Sequence, residues 1–214
     1  VKTVRGWAFP ESDEFMVAEQ RPDLSYQLGN LTAALRHVTN HDAAIDGGAH
    51  TGTWSKVMSG HFSRVIAIEP SRDTFECLTS NMERFGCVNV ECKNVALGAA
   101  PGFVEMALTA EQAARANTGA RYARTGGTIP VETIDSWHLP SLGFLKLDIE
   151  GSEFVALQGA AATIDRCKPV VLFERKFLWT RYFGLPKNVV EVFLKAHSYG
   201  LAEAISCDQI WVPN

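Results

Sequence analysis

The 214-residue chain is poor in several things, and each shortage narrows what it can be. Its five cysteines (Cys77, Cys87, Cys92, Cys167 and Cys207) form no CxxC pair and no Cys/His cluster, which argues against a structural zinc site. Odd in number and scattered, they fit reduced thiols rather than a disulfide framework. No run approaches the ~18 apolar residues of a membrane span. The opening VKTVRGWAFPESDEF lacks the apolar core of a secretory signal. These features predict a cytoplasmic protein with no membrane partner. Basic charge is short too: 20 Lys+Arg against 24 Asp+Glu leave a net charge of −4, which argues against a general nucleic-acid binder. No internal repeat is present.

What remains is ordinary globular material, 46% hydrophobic and 21% charged. The length suits a single domain over residues 1–214, with 1–42 as an N-terminal cap and helix and 43–214 as the core. Apolar periodicity predicts helices over 24–40, 53–62, 74–86 (stopped by Gly86), 154–167 and 187–200 (stopped by Gly200). Short apolar runs predict strands at 43–46, 64–70, 88–97, 143–151 and 169–174, with further strands at 103–108 and 129–134. Residues 201–206 and 209–213 read as a closing hairpin that adds one antiparallel strand. Strands alternating with helices predict an α/β fold, a doubly wound and mostly parallel sheet. Residues 109–128 read as a mobile loop. Trp7 and Phe9 read as core packing or as cover for a pocket at the sheet end.

The first core strand ends in a carboxylate and runs into small residues: AAIDGGAHTG, 43–52. Gly47, Ala49 and Gly52 make a G-x-A-x-x-G spacing, a near-match to the dinucleotide fingerprint. Asp46 at the mouth of that turn would repel a pyrophosphate and attract a cation, such as the amino group of S-adenosylmethionine (SAM). Glu69, ending the next strand, is placed for ribose hydroxyls. SAM is therefore the expected cofactor and S-adenosylhomocysteine its product. The competing readings are a plain tight turn for the glycines, a helix cap for Asp46 and a solvated strand end for Glu69.

IDGGAHTG, AIEPS (67–71), NVALG (94–98) and above all FLKLDIEGSEFVALQGA (144–160) followed by PVVLFE resemble the FkbM-type family of SAM-dependent methyltransferases. The resemblance implies a Rossmann-like class I methyltransferase fold and methylation of hydroxyl oxygens on sugars or small metabolites. It implies that Asp46, Gly48, Ala49, Gly52 and Glu69 line the cofactor site, with Pro70 and Ser71 following Glu69 there, and with Asn94 and Ala96 near adenine. The sequence departs from the family pattern at Gly47, where an aliphatic residue is usual, and at His50, where asparagine is frequent. His50 then faces the cofactor or substrate, or else solvent.

Alternation along LKLDIEG puts Lys146, Asp148 and Glu150 on one side of an extended strand, and Glu174 ends the next strand at the same carboxyl edge, where ligands of open α/β sheets bind. Asp148 is the expected base or acceptor-orienting group, with Glu150 and Glu174 behind it. Lys146 with one of these acids also reads as a buried ion pair. The three acids could instead ligate a divalent cation, but the spacing does not require one and no metal is predicted. Arg115, Arg121 and Arg124 within 109–128 read as a solvated surface or as a lid for an anionic, hydroxylated small-molecule acceptor. The rival functions are an RNA ribose 2′-O-methyltransferase, for which Lys146, Asp148, Glu174 and Lys176 supply suitable groups, and a catalytically silent SAM-binding module. No DPPY-like motif follows the fourth strand, which disfavours amino-group methylation of a base.

Overall fold

The computed structural model describes residues 1–19, 28–175 and 184–214. The expected helix start at 24–27 and Lys176 lie outside them. Four buried parallel strands form the centre: β3 (Ala43–Gly47), β4 (Arg64–Ile68), β10 (Phe144–Leu147) and β11 (Val170–Glu174). Each is a near-continuous apolar run, as strands covered on both faces must be. β5 (Val90–Lys93) extends the sheet at one edge. The terminal hairpin, β12 (Tyr199–Ile205) and β13 (Asp208–Pro213), extends the other.

The order is β12-β13-β11-β10-β3-β4-β5. The hairpin thus supplies two strands rather than the expected one, with β13 antiparallel between β11 and β12. Gly200 lies within β12, and the preceding helix stops earlier, at Val189–Ala196. One face of the sheet buries Ile45, Ile66, Leu145, Val171 and Phe173 against the helices at 153–167 and 189–196. The other buries Ala44, Val65, Phe144 and Leu172 against α2 (Leu28–Leu35) and α3 (Thr53–Ser59). No helix among the described residues is long and apolar enough to cross a membrane.

Three further expectations need correction. The strand at 88–97 is interrupted: Asn94 Nδ2 donates to the Glu69 and Pro70 carbonyls (2.8 and 3.0 Å), and the chain leaves the main sheet there. Ala96–Leu97 instead joins a second, four-stranded sheet with Gly102–Ala107, Tyr122–Thr125 and Ile129–Glu132. Residues 109–128 are correspondingly structured, with a helix at Ala110–Ala114 closed by a Thr109/Gln112 capping box and a strand at Tyr122–Thr125. The helix at 154–167 is two helices, Glu153–Gln158 and Ala161–Cys167. At the break, a Cβ on Gly159 would lie 2.0 Å from the Gly98 carbonyl oxygen, and the Asp135 carboxylate accepts from Ala162 N and Thr163 N (3.0 and 2.7 Å).

A short N-terminal hairpin, β1 (Lys2–Val4) and β2 (Trp7–Phe9), packs on α4 (Arg72–Arg84). Trp7 and Phe9 are buried with Ala49, Ala67, Leu78 and Met82. Asn81 pins the hairpin by accepting from Ala8 N (2.7 Å) and donating to Ala8 O (3.0 Å) and Thr51 O (2.9 Å).

Candidate active site

The carboxyl ends of β3, β4, β10 and β11 open into a cleft of about 1210 Å³ counted out to open solvent.

The turn after β3 forms the floor. Gly48 and Ala49 N–H groups both donate to the Ile68 carbonyl (3.0 and 2.9 Å), tying the turn to the end of β4. Gly48 (φ 75°), His50 (φ 50°) and Gly52 (φ 93°) all take left-handed backbone. A Cβ on Gly48 would lie 1.9 Å from the Asp148 carbonyl oxygen, and one on Gly52 2.6 Å from Met82 Cε. The demand for glycine therefore comes at 48 from the neighbouring backbone at Asp148 and at 52 from its left-handed conformation. Gly48, Ala49 and His50 line the cleft; Gly52 lies beneath it.

Asp46 does not line the cleft. It is fully buried, and it sits in register beside Lys146 on the adjacent strand, where opposed side chains share a face. Lys146 Nζ lies 2.9 Å from Asp46 Oδ1 and donates to Gly48 O at 2.8 Å. Asp46 Oδ1 has that ion pair but no well-aligned hydrogen bond, while Ser55 Oγ donates to Oδ2 at 2.6 Å. The cation drawn to this carboxylate comes from within the chain. The buried pair anticipated for Lys146 thus forms with Asp46, and Lys146 stands between Asp46 and the cleft. Burial works against the charged lysine, but the Asp46 and Asp148 carboxylates outweigh it and hold the Lys146 pKa above its ordinary value.

Glu69, just past β4, lines the cleft with each carboxylate oxygen held by a backbone donor: Oε1 by Ser71 N (2.8 Å) and Oε2 by His50 N (3.1 Å). Burial pushes its pKa up against the pull of His50 and these donors. Two backbone bonds fix the plane of the carboxylate and leave acceptor capacity for a diol. Ser71 Oγ is buried beside it with no hydrogen-bond partner among the described residues. A buried hydroxyl without a partner is costly, so a polar ligand atom at this place fits the chemistry of the site. Pro70, Val95, Ala96 and Leu97 give an adjoining, mainly apolar wall suited to a flat base. Asn94, expected near that base, is not among the residues lining the cleft; its amide braces the chain behind the wall.

Asp148, Glu150 and Glu174 converge across the cleft, their carboxylate oxygens within 4.8 Å of one another. That is close enough to share hydroxyl donors or one divalent cation. Strand alternation is not what unites them, because β10 ends at Leu147 and Glu150 turns into left-handed backbone (φ 53°). The turn is held by Glu153, whose buried Oε1 accepts from Ile149 N and Gly151 N, both at 3.1 Å. Burial raises the Glu153 pKa to about 7. Its role was not read from the sequence, although the last acid of K-x-D-x-E-G-x-E was the signal for it.

The roof comes from two places: Phe15 and Met16 near the N-terminus, and Met106, Thr118, Arg121 and Ala123 around the second sheet. Asp13, fully buried, joins them. Its Oδ1 accepts from Met16 N (3.0 Å), and its Oδ2 lies 3.0 Å from His50 Nε2 and accepts from Thr118 Oγ1. Burial would raise the Asp13 pKa, but the His50 ring and the Thr118 and Met16 donors together draw it below its ordinary value. The arginine excess expected over 109–128 is neutralised by neighbours: Arg121 is bidentate on Asp73, Arg124 pairs with Glu105 and Arg115 with Glu111. The charge argument for an anionic acceptor falls with it.

A sequence model of the family described as Methyltransferase FkbM domain matches residues 46–201. The hexuronic acid methyltransferase AglP of Haloferax volcanii is 25% identical over 156 residues, covering 70% of this chain and 63% of that protein. The solved FkbM methyltransferase of Methylobacillus flagellatus superposes with a TM-score of 0.55 at 22% identity, over 80% of this chain and 43% of its own. The chain thus spans less than two thirds of either relative. A Streptococcus mutans protein classed among the methyltransferases, solved with S-adenosylhomocysteine, shares the fold at a TM-score of 0.53 and 10% identity, over 89% of this chain and 96% of that one. The sheet is accordingly the Rossmann-like sheet of class I methyltransferases. With residues 46–201 of its 214 matched, the chain belongs to the FkbM methyltransferase domain family.

Proposed function

We propose that the protein transfers a methyl group from SAM to a hydroxyl oxygen of a sugar or similar small metabolite. The observation that carries this reading is one cleft with two unlike ends. Glu69 and the Ser71 hydroxyl, which has no partner among the described residues, sit on one side, and the carboxylates of Asp148, Glu150 and Glu174 on the other. When bound, SAM supplies an electrophilic methyl on a sulfonium. Glu69 holds the ribose diol, Ser71 Oγ gains a polar partner, and Ala96 with Pro70 flanks the base. Asp148 accepts a hydrogen bond from the acceptor hydroxyl, orients it for in-line approach and takes its proton as the oxygen–carbon bond forms and the methyl's bond to sulfur breaks, the sulfur leaving as a neutral thioether. Glu150 and Glu174 receive neighbouring hydroxyls, as suits a polyol.

The name of the Haloferax relative supports a sugar acceptor. The net charge of −4 and the paired arginines weigh against RNA. Incubation with methyl-labelled SAM and a panel of neutral sugars, uronic acids and RNA tests the reading. Label in a sugar ether supports it. Label in RNA alone, or in a carboxyl ester alone, replaces the acceptor. Binding of S-adenosylhomocysteine with no transfer to any acceptor points to a silent binding module.

A further inference from the structure

Asp13 lies outside the stretch matched to the family, which begins at residue 46, yet it reaches into the cleft's framework. It is completely buried, and both of its oxygens are engaged: Oδ1 by Met16 N, Oδ2 by His50 Nε2 and Thr118 Oγ1. His50 Nε2 also lies 3.1 Å from Thr118 Oγ1, so three segments far apart in sequence meet at one imidazole. His50 holds left-handed backbone without being glycine, a conformation that persists only where the surroundings over-determine it. In that conformation its own N–H points at Glu69 Oε2 (3.1 Å). The side-chain contact to Asp13 and the backbone contact to Glu69 are thus two ends of one residue, which lines the cleft between them.

We propose that Asp13 is a positioning residue for the cofactor: by gripping the His50 ring it fixes the His50 N–H that orients the Glu69 carboxylate. The segment around residues 13–16, which also contributes Phe15 and Met16 to the cleft wall, is on this account part of the cofactor site. This rests on the proposed SAM reading.

Calorimetry with S-adenosylhomocysteine on the full chain is the test, with melting of the ligand-free protein followed alongside. Asp13→Asn keeps the shape and the acceptor for Met16 N but loses the charge facing His50. It should raise Kd about tenfold, in line with the loss of a charge-assisted contact. His50→Ala should do the same, while His50→Gln, which keeps a side-chain N–H, restores most of the affinity. The decisive comparison is made in a Glu69→Gln background: if Asp13 acts through Glu69, Asp13→Asn there adds little, because coupled residues are not additive. Wild-type affinity in Asp13→Asn, equal losses in the two His50 variants, or effects that multiply with Glu69→Gln would each overturn the proposal while leaving the SAM reading intact. A wild-type protein that does not bind S-adenosylhomocysteine at all would remove both. Should Asp13→Asn fail to fold, the two His50 variants decide the matter.

Discussion

Lys146→Met would leave the shape of the β10 end nearly unchanged and strand a charge. Asp46 is fully buried and the Lys146 side chain is 7% exposed. Methionine matches the aliphatic stem but cannot pair with Oδ1 at 2.9 Å or reach the Gly48 carbonyl at 2.8 Å. Among the described residues Asp46 would keep the Ser55 hydroxyl alone. Removing one member of a buried pair costs about 3–5 kcal/mol. At the ~2–4 °C per kcal/mol typical of chains this size, the melting temperature should fall by about 6–20 °C.

Removing both charges with Asp46→Asn and Lys146→Met together should recover much of that loss, since an apolar or neutral pair carries no desolvation penalty. The pair also dictates a pH response. The Lys146 pKa in the fold lies above the ordinary 10.5, so its contribution is complete below that value and fades only as the pH climbs through the raised one. Differential scanning calorimetry at pH 7 on the two variants decides the matter. A single variant within about 2 °C of wild type, or a double variant as damaged as the single, would refute the assignment of Lys146 as the counter-charge.

Glu153 makes a pH prediction of the same sign at lower pH. Its folded pKa of about 7 exceeds the usual 4.5, so the fold binds the proton more tightly and stability falls as pH rises between those values, by about 3 kcal/mol; Glu153→Gln should flatten that fall in urea titrations at pH 5 and pH 8, and an unchanged slope would contradict it. Asp148→Asn should lower methyl transfer by about 10²–10⁴-fold with little change in S-adenosylhomocysteine affinity by calorimetry. If a chelator also silences the wild type, the three converging acids hold a cation instead of acting on the acceptor directly. Glu69→Ala should weaken S-adenosylhomocysteine by about 10–100-fold, the scale of lost charge-assisted hydrogen bonds, and an unaffected Kd would remove Glu69 from the ribose site.

The central strands were legible because a strand buried on both faces has no choice but to be apolar, as AAID, RVIAI and PVVLF are. Glu69 was legible for the same reason: a lone acid after such a run must sit at a strand end. Asp46 carried the same local signal, but its partner is 100 residues away and is fixed by the register of β3 on β10, which no local pattern encodes. The turn holding Glu150 was misread as extended strand because Glu150 is not glycine, though its backbone is left-handed. The strand at Tyr122–Thr125 shows no apolar alternation, since it is an edge strand whose third residue, Arg124, is exposed and pairs by charge with Glu105 across the ladder. One signal was present and passed over: Arg5 and Gly6, both at positive φ between two short runs, are what a two-residue hairpin turn requires.

The N-terminal hairpin also sets an order of events during synthesis. Its anchor, Asn81, is 73 residues downstream of Ala8, and Thr118, which closes on Asp13, is 105 residues downstream. At ribosomal speeds of ~5–20 residues per second, the hairpin waits about 4–15 s for its helix and longer for its roof. Through that interval Trp7 and Phe9, both buried in the finished protein, have nothing to bury against. A segment made well ahead of its partners is thus among the last to find its place.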